Sequence, residues 1–283
     1  MKKSAIVEIK GGLGNQIFQY SFAKYLENFG FKVFYNLDFF KSKNLTDVTE
    51  RDFLLKNLSC SINEASETIK KLSDILNLLI NSKKIKQYFP FINKYIFQYF
   101  KEKDYNRNLG YKDYSIINYF DGYWQNNIDH LKIQKVTLLN IFNINYLDLE
   151  KLNNNRVMIH VRRQDYVKLG INLNINYYKN SISLLKKELN EFEFDIFTDD
   201  TNWVQDQNIF SDCKNIYGEE IDPINSFKEM LHYKHYIIAN STYSFLAAFF
   251  GEKKDSKILM PYKWSIKKNN NFLTENSWIK VQF

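Results

Sequence analysis

Residues 5–38 read AIVEIKGGLGNQIFQYSFAKYLENFGFKVFYNLD. The run Ala5–Ile9 is short, apolar and partly β-branched, which predicts a buried strand. The loop Lys10-Gly11-Gly12-Leu13-Gly14-Asn15-Gln16 follows. Ile17, Phe18, Ser21, Phe22, Tyr25, Leu26 and Phe29 then recur at helical spacing, and Gly30 is a natural helix stop. Phe31 to Leu37 predicts a second strand ending at Asp38. Strand, loop, helix and strand in this order specify a parallel sheet, because parallel neighbours need a crossover between them.

The same alternation returns in the second half. Val157–Val161, Phe194–Phe197, Tyr236–Ala239 and the start of Ile258-Leu259-Met260 predict strands. Tyr177–Leu189, Ser226–His232 and Phe245–Phe250 predict helices between and after them. The polar run Lys151-Leu152-Asn153-Asn154-Asn155 marks the boundary, giving one half over 1–150 and another over 151–283. Asn63–Lys84 predicts a polar helix, and Asn81–Lys103 is basic and aromatic. Core packing is the commoner fate of such an aromatic stripe, here as a helix pair with solvated lysines, and an anionic membrane surface is the alternative.

A chain of 283 residues with 45% hydrophobic content can build two ordinary α/β cores. Its formal net charge of +7 favours anionic partners, although Asn, Ile, Phe, Tyr and Lys are also the residues of A/T-rich codons. The two cysteines, Cys60 and Cys213, have neither metal-ligand spacing nor the number for a disulfide framework. The start lacks the apolar run of a signal peptide, and no segment has the length of a membrane span. A cytoplasmic protein is expected, with or without peripheral contact to the inner membrane.

Four stretches carry chemistry. In His160-Val161-Arg162-Arg163-Gln164-Asp165, two guanidiniums follow a buried strand, and groups that cannot lose their charge ask for an anion such as a diphosphate. A solvated arginine pair, with Asp165 holding one arginine and His160 in the core, is the plainer reading. In Asn240-Ser241-Thr242-Tyr243-Ser244, a strand runs into hydroxyls at a helix start, which suits phosphate but also ordinary N-capping. The glycines at 11, 12 and 14 fit neither a P-loop nor the G-x-G-x-x-G spacing. Gly12 and Gly14 permit close backbone approach, and Asn15 and Gln16 offer amides to sugar hydroxyls or phosphate oxygens. Asp199 and Asp200, after a strand, could hold a metal, accept from a guanine or ribose, or cap the next helix. Capping by Asp200 is the best single reading, and metal the weakest.

Three of these stretches stand in an order and spacing that closely resemble the bacterial alpha-1,2-fucosyltransferases, glycosyltransferase family 11. They are GGLGNQIFQY at 11–20, HVRRQDYV at 160–167 and IIANSTYS at 237–244. Asp121-Gly122-Tyr123-Trp124-Gln125 and Phe197-Thr198-Asp199-Asp200 look like lesser blocks of the same family, and the likeness runs from residue 5 to about 264, loosely over 40–115. The resemblance implies a GT-B-like fold of two Rossmann-like halves facing across a cleft, the first acceptor-side and the second binding GDP-fucose. It implies inverting transfer of L-fucose to the 2-hydroxyl of a terminal galactose, without an essential metal or a cofactor beyond the co-substrate. By position, Arg162 and Arg163 would grip the diphosphate, and Ser241, Thr242 and Ser244 would help at the phosphates. His160 and one of Asp199 or Asp200 would border the nucleoside, beside Asn240. Asn15 and Gln16, with Gly12 and Gly14, would face the cleft. Gln164 replaces a common glycine, Phe245-Leu246 replace paired tryptophans, and Ser226, with Glu229 nearby, replaces a common aspartate.

The implied acceptor is a galactose-terminated glycan, free or lipid-linked, of a lipopolysaccharide O-chain. Asp165 is a candidate base for the attacking hydroxyl and equally a group tied to an arginine. Two other readings are a transferase with another acceptor or linkage and a silent GDP- or glycan-binding protein. A nucleic-acid partner is disfavoured, since only net charge and the 81–103 segment support it.

Overall fold

The computed structural model describes residues 2–41, 51–82, 91–105, 109–126, 128–151, 155–189, 191–264 and 277–282. The chain folds as two compact units, Met1–Leu138 and Leu139–Phe283. Each holds a parallel sheet with helices, so the expected pair of Rossmann-like α/β units is present. The units meet at 138/139 rather than 150/151. That position lies inside a helix, Asp129–Ile141, and not in the polar run, so composition could not mark it.

Unit 1 carries strands β1 (Ser4–Glu8), β2 (Lys32–Asn36), β3 (Phe97–Lys101) and β4 (Ile117–Asp121), ordered β2-β1-β4-β3. Every pairing is parallel. Helix α1 spans Leu13–Asn28, so the second half of the expected glycine loop is helix. Gly12 is its N-cap, and Gly11 sits at φ +80°. A side chain there would be strained, and its Cβ would meet Asn15 Nδ2 at 2.5 Å. Helix α2 (Glu67–Asn81) is capped by the Ser66 hydroxyl, which accepts from Ile69 N–H.

In the 81–103 segment the expected helix pair does not extend beyond Ile96. Residues 83–90 lie outside the described residues, and Phe97–Lys101 forms the edge strand β3. Phe97 is fully buried there, whereas Phe91 and Tyr95 are exposed. Strand alternation, not a helical stripe, accounts for part of the aromatic run. No helix among the described residues is long and apolar enough to cross a membrane. Cys60 and Cys213 are both free thiols.

The α1 amides are spent on the loops around the sheet. Gln16 is fully buried; its Nε2 donates to the carbonyls of Gly11 (2.9 Å) and Asp52 (2.8 Å), and its Oε1 accepts from Leu54 N–H (2.9 Å). Gln19 Oε1 accepts from Lys10 N–H, and its Nε2 donates to the Gly122 carbonyl, both at 3.0 Å. The helix thereby fixes the loops that follow β1 and β4.

After helices α3 (Asp129–Ile141) and α4 (Tyr146–Lys151), unit 2 adds six strands: β5 (Arg156–Val161), β6 (Glu193–Thr198), β7 (Ile216–Tyr217), β8 (His235–Ile237), β9 (Ile258–Pro261) and β10 (Ile279–Val281). Their order is β10-β9-β8-β5-β6-β7, all parallel. Its helices are α5 (Gln164–Leu169), α6 (Ile175–Leu189), α7 (Thr201–Gln205), α8 (Pro223–Met230) and α9 (Thr242–Gly251). Helix α8 starts three residues before the expected Ser226, because Asp222 caps it and Pro223 fits its first turn. The core joins Val157, Ile159 and Val161 of β5 to Tyr177, Tyr178, Ile182 and Leu185 of α6. Asp195 of β6 is fully buried at the Arg156 end of β5, where Tyr233 (2.7 Å), Asn215 (2.8 Å) and Arg156 surround it.

Replacing Gln16 with Ala removes the partner of part-buried backbone groups of Gly11, Asp52 and Leu54. Each such group costs about 1–3 kcal/mol. We expect Gln16→Ala to lower unfolding free energy by about 2–4 kcal/mol in urea denaturation. A loss under about 0.5 kcal/mol, the range of ordinary surface substitutions, would contradict the bracing role.

Candidate active site

In unit 2 the chain runs from β5 outward to β6 and β7, then crosses to β8 on the other side of β5. The strand order reverses between β5 and β8, and ligands of doubly wound sheets bind at the carboxyl ends beside such a point. Three sequence stretches converge there. His160 to Asp165 leave β5, Thr198 to Asp200 leave β6, and Asn240 to Ser244 follow β8. A cross-link binds two of them, since Tyr166 OH donates to the Asn240 carbonyl at 3.3 Å.

Neither guanidinium is bare. Arg162 donates to Asp165 Oδ1 at 2.7 Å, approaches Asp199 Oδ2 at 2.9 Å and lies over the Tyr166 ring at 5.4 Å. The Asp199 approach is an ion pair out of hydrogen-bond alignment, so Oδ2 is left without an aligned donor. Arg163 donates from Nε to Asp200 Oδ2 at 3.0 Å and stacks on Trp203 at 3.9 Å. Its backbone N–H donates to Asp199 Oδ1 at 2.7 Å. Asp200 also caps α7 through Oδ1, which accepts from Trp203 N–H at 3.1 Å. Two guanidiniums thus face three carboxylates, which orient them and offset their charge before any anion arrives. Asp165 serves Arg162, and orientation of that guanidinium is the role its geometry supports, not proton abstraction.

Burial pushes the Asp199 carboxyl above its usual range, against the pull of Arg162 and of the Arg163 N–H. His160 is buried, and desolvation plus the neighbouring Arg162 push its imidazole down to about 3. It is neutral at physiological pH, so it offers hydrogen bonds rather than charge. Asn240 donates through Nδ2 to the Ile171 carbonyl at 2.9 Å. His160 Nδ1, Asp199 Oδ2 and Asn240 Oδ1 are buried polar atoms without a hydrogen-bond partner. Asp199 Oδ2 keeps its ion pair with Arg162, so His160 Nδ1 and Asn240 Oδ1 are the two of these whose hydrogen-bonding capacity is unused at the switch point.

The hydroxyl-rich turn divides its labour. Ser241 is the N-cap of α9, its Oγ accepting from Tyr243 N–H at 3.4 Å. Ser244 is fully buried, and its hydroxyl faces the carbonyls of Ala239 (3.4 Å) and Ser241 (3.3 Å). Ser244 therefore braces the turn and is not turned toward a phosphate. Thr242 is half-buried at the first helical position. Phe245 and Leu246 are fully buried, with Phe245 5.0 Å from the Trp278 ring, so the replacement of paired tryptophans is a change inside this core. Glu229 is exposed beside His232.

In unit 1, Gln16 is consumed by backbone groups and offers nothing to a ligand. Asn15 is half-buried, and its Oδ1 accepts from Gln125 Nε2 at 2.9 Å. Gly12 caps α1, and Gly14 is buried within it. Three further residues went unremarked in sequence: Tyr166, Trp203 and Glu102. Glu102 accepts from the N–H groups of Tyr123 (2.9 Å) and Asn126 (2.8 Å) and from that of Gln125. The aromatic pair was readable in principle, since Tyr166 lies four residues after Arg162 and Trp203 three after the capping Asp200.

A depression of about 620 Å³ lies instead at the amino ends of β5 and β6, lined by Arg156, Lys186, Lys214 and acidic neighbours. Parallel α/β sheets bind at the opposite edge, so the site is placed at the switch point.

Oriented arginines and buried polar atoms thus stand at the switch point of a doubly wound sheet, the edge at which such sheets bind ligands. Residues 4–282 match Glycosyl transferase family 11, and the chain belongs to that family. It is similar to an alpha-1,2-colitosyltransferase of Escherichia coli, 29% identical over 98% of both chains. It is also similar to the Escherichia coli O-antigen biosynthesis glycosyltransferase WbnK, 27% identical over 96% of this chain and 99% of that one. Among solved structures, the fucosyltransferase NodZ from Bradyrhizobium matches with a TM-score of 0.41 and 11% identity, over 88% of this chain and 93% of the other. A glycosyl transferase family 9 structure from Veillonella parvula matches with a TM-score of 0.43 and 8% identity, over 100% and 88%.

A carboxyl whose folded value is raised stabilises the fold fully below its unfolded value and loses that contribution as pH rises through the folded one. Ionised Asp199 is therefore a net cost to stability at neutral pH. We expect Asp199→Asn to match or exceed wild-type Tm at neutral pH, with the advantage vanishing in acid, while transfer falls. A lower Tm at neutral pH that recovers in acid would reverse the assignment.

Proposed function

We propose that the protein is an inverting, metal-independent fucosyltransferase that moves L-fucose from GDP-fucose to the 2-hydroxyl of a terminal galactose. The glycan belongs to an O-antigen, is met free or lipid-linked, and is modified on the cytoplasmic side of the membrane. The observation that carries this reading is the convergence at the β5/β8 switch point of oriented Arg162 and Arg163 with buried His160 Nδ1 and Asn240 Oδ1, which lack hydrogen-bond partners. Membership of glycosyl transferase family 11 and the names of the two bacterial relatives support the sugar chemistry. In this reading unit 2 binds the donor and unit 1 serves the acceptor.

The attacking hydroxyl oxygen bonds to the anomeric carbon as the bond to the β-phosphate oxygen breaks. The electron pair leaves with the diphosphate, where the arginines stabilise it because they are already oriented. Arg162 must then exchange part of its pairing with Asp165 and Asp199 for phosphate oxygens. Neutral His160 and Asn240 are suited to the hydroxyls and amides of the nucleoside. The colitosyl name of one relative favours a second reading, in which the donor sugar is colitose and the protein machinery is the same.

A GDP-release assay with GDP-fucose and GDP-colitose over galactose-terminated acceptors tests both readings. Release that depends on an acceptor identifies donor and acceptor together, and release with neither donor rejects the proposal. Arg162→Ala should lower kcat by at least about 10²-fold with the fold intact. Transfer within about tenfold of wild type would remove Arg162 from the chemistry. Chelation by EDTA should leave turnover unchanged, and loss reversed by Mg²⁺ would make the enzyme metal-dependent.

A further inference from the structure

Helix α2 is apolar on two sides. Ile69, Leu76 and Leu79 turn inward and pack with Ile6, Phe97 and Tyr119 on the sheet of unit 1. Leu72, Ile75 and Leu78 recur every third residue on the outer side and are exposed, Leu78 at 73%. A helix that only covers a sheet needs one apolar stripe, with polar residues opposite it. The helical turn Ile92–Ile96 lies over the same cluster through Ile92 and Ile96. Its Tyr95 and the preceding Phe91 are exposed as well. Two elements on one face of the sheet thus present five apolar or aromatic side chains to solvent.

Charge follows the same pattern. Unit 1 holds 21 Lys and Arg against 14 Asp and Glu, and unit 2 holds 18 of each, so the whole net charge of +7 belongs to unit 1. From Ile75 to Lys101 the sequence has no acidic residue and carries Lys83, Lys84, Lys86, Lys94 and Lys101. The first three stand in sequence between α2 and the Ile92–Ile96 turn. Lys71 is exposed one turn before Ile75, and the Lys94 ammonium lies 5.0 Å from the centroid of the Tyr95 ring. Of the two acidic residues of α2, Glu67 pairs with Lys70, which leaves Asp74 against this excess.

We propose that the outer face of α2 and the 91–96 segment docks on an anionic phospholipid bilayer. Leu72, Ile75 and Leu78 enter the boundary between headgroups and acyl chains, Phe91 and Tyr95 sit at headgroup level, and the lysines pair with headgroup phosphates. Exposed apolar patches mark protein or membrane contacts, and the charge chooses between them. A second copy of the chain would bring another unit of +7 against the first, and like charge opposes that association. A nucleic acid would use the lysines and leave the aliphatic side chains without a role. An anionic bilayer meets both the lysines and the aliphatic stripe. The contact is a surface one, since α2 has 15 residues and falls short of a membrane span. This docking goes beyond the transfer reaction and does not depend on it, although a lipid-linked acceptor would lie in the same surface.

Cosedimentation of the full chain with vesicles is the test. Wild type should bind vesicles of equimolar phosphatidylcholine and phosphatidylglycerol, bind pure phosphatidylcholine at least about tenfold more weakly, and lose affinity as salt rises. Ile75→Ser combined with Leu78→Ser should weaken binding by at least about tenfold. Lys71→Glu combined with Lys94→Glu should weaken it by at least about fivefold and flatten the salt dependence. All four side chains are exposed, so both proteins should unfold at the wild-type Tm.

Wild type that stays in the supernatant with anionic vesicles overturns the proposal. So does the Ile75→Ser, Leu78→Ser protein binding within about twofold of wild type, because the contact then lies elsewhere. Wild-type self-association that the same two substitutions abolish would make this face a contact between copies. Single-stranded RNA binding that only the lysine substitutions abolish, without vesicle binding, would make it a nucleic-acid surface; either result rejects the bilayer. Should the apolar variant not fold, hydrogen exchange of the wild type decides. Anionic vesicles must then slow exchange within 67–81 and 91–96, and protection confined to other segments refutes the docking face. Vesicle binding is read without turnover, so its outcome is separate from that of the transferase reading.

Discussion

Two guanidiniums held against three carboxylates at the carboxyl ends of β5 and β6 are the constraint around which unit 2 is arranged. Arginine cannot shed its charge, so Arg162 and Arg163 at the end of a buried strand need anions in the fold itself. Asp165, Asp199 and Asp200 provide them, and Tyr166 and Trp203 supply ring faces for the same two groups. The cost is that Asp199 is buried and poorly aligned. The benefit is that both guanidiniums are held in fixed orientations at the carboxyl ends of the strands. On the proposed function, a diphosphate would displace carboxylates that already pair both arginines, and so would bind by exchange, not by simple attraction.

Unit 1 solves a related problem with amides in place of charges. Its glycine-rich turn lets α1 begin at Leu13, close against the sheet, and brings Asn15, Gln16 and Gln19 to the loops around the carboxyl edge. Glu102 pins the 122–126 loop by its backbone N–H groups, and Trp124 sits there at a φ of 59°. A non-glycine residue in that region is sustained only where its surroundings over-determine it. The stacked Phe22 ring, 3.9 Å from Trp124, and the Glu102 anchor do so. The loop that presents Tyr123 and follows Asp121 is therefore anchored at the end of β4.

The strands and helices around the motifs were legible because buried parallel strands are continuous apolar runs and their helices keep a regular apolar period. Capping by Asp200 was legible, whereas Ser241 and Asp222 show why two helix starts lie ahead of the apolar pattern, since each cap sets the start at a hydrogen-bonding residue. The 97–101 strand was missed because an edge strand of Phe, Gln, Tyr, Phe and Lys lacks a clear apolar run. The arginine pair was visible from its charge alone. Its partners were not, since Asp199 and Asp200 stand 36 and 37 residues from Arg163 along the chain.

By itself, then, the sequence determined the residue types that chemistry requires and the order of strands and helices that carries them. Both are local properties of charge and period. Tertiary structure alone decided which polar groups remain available. Gln16 and Ser244 share composition with ligand-binding residues, but the packing of their helices turns them onto backbone groups of the adjoining loops. Glu8 and Asp121, 113 positions apart, share the Lys10 ammonium because β1 and β4 are neighbours. Strand pairing is non-local, so no stretch of sequence contains it.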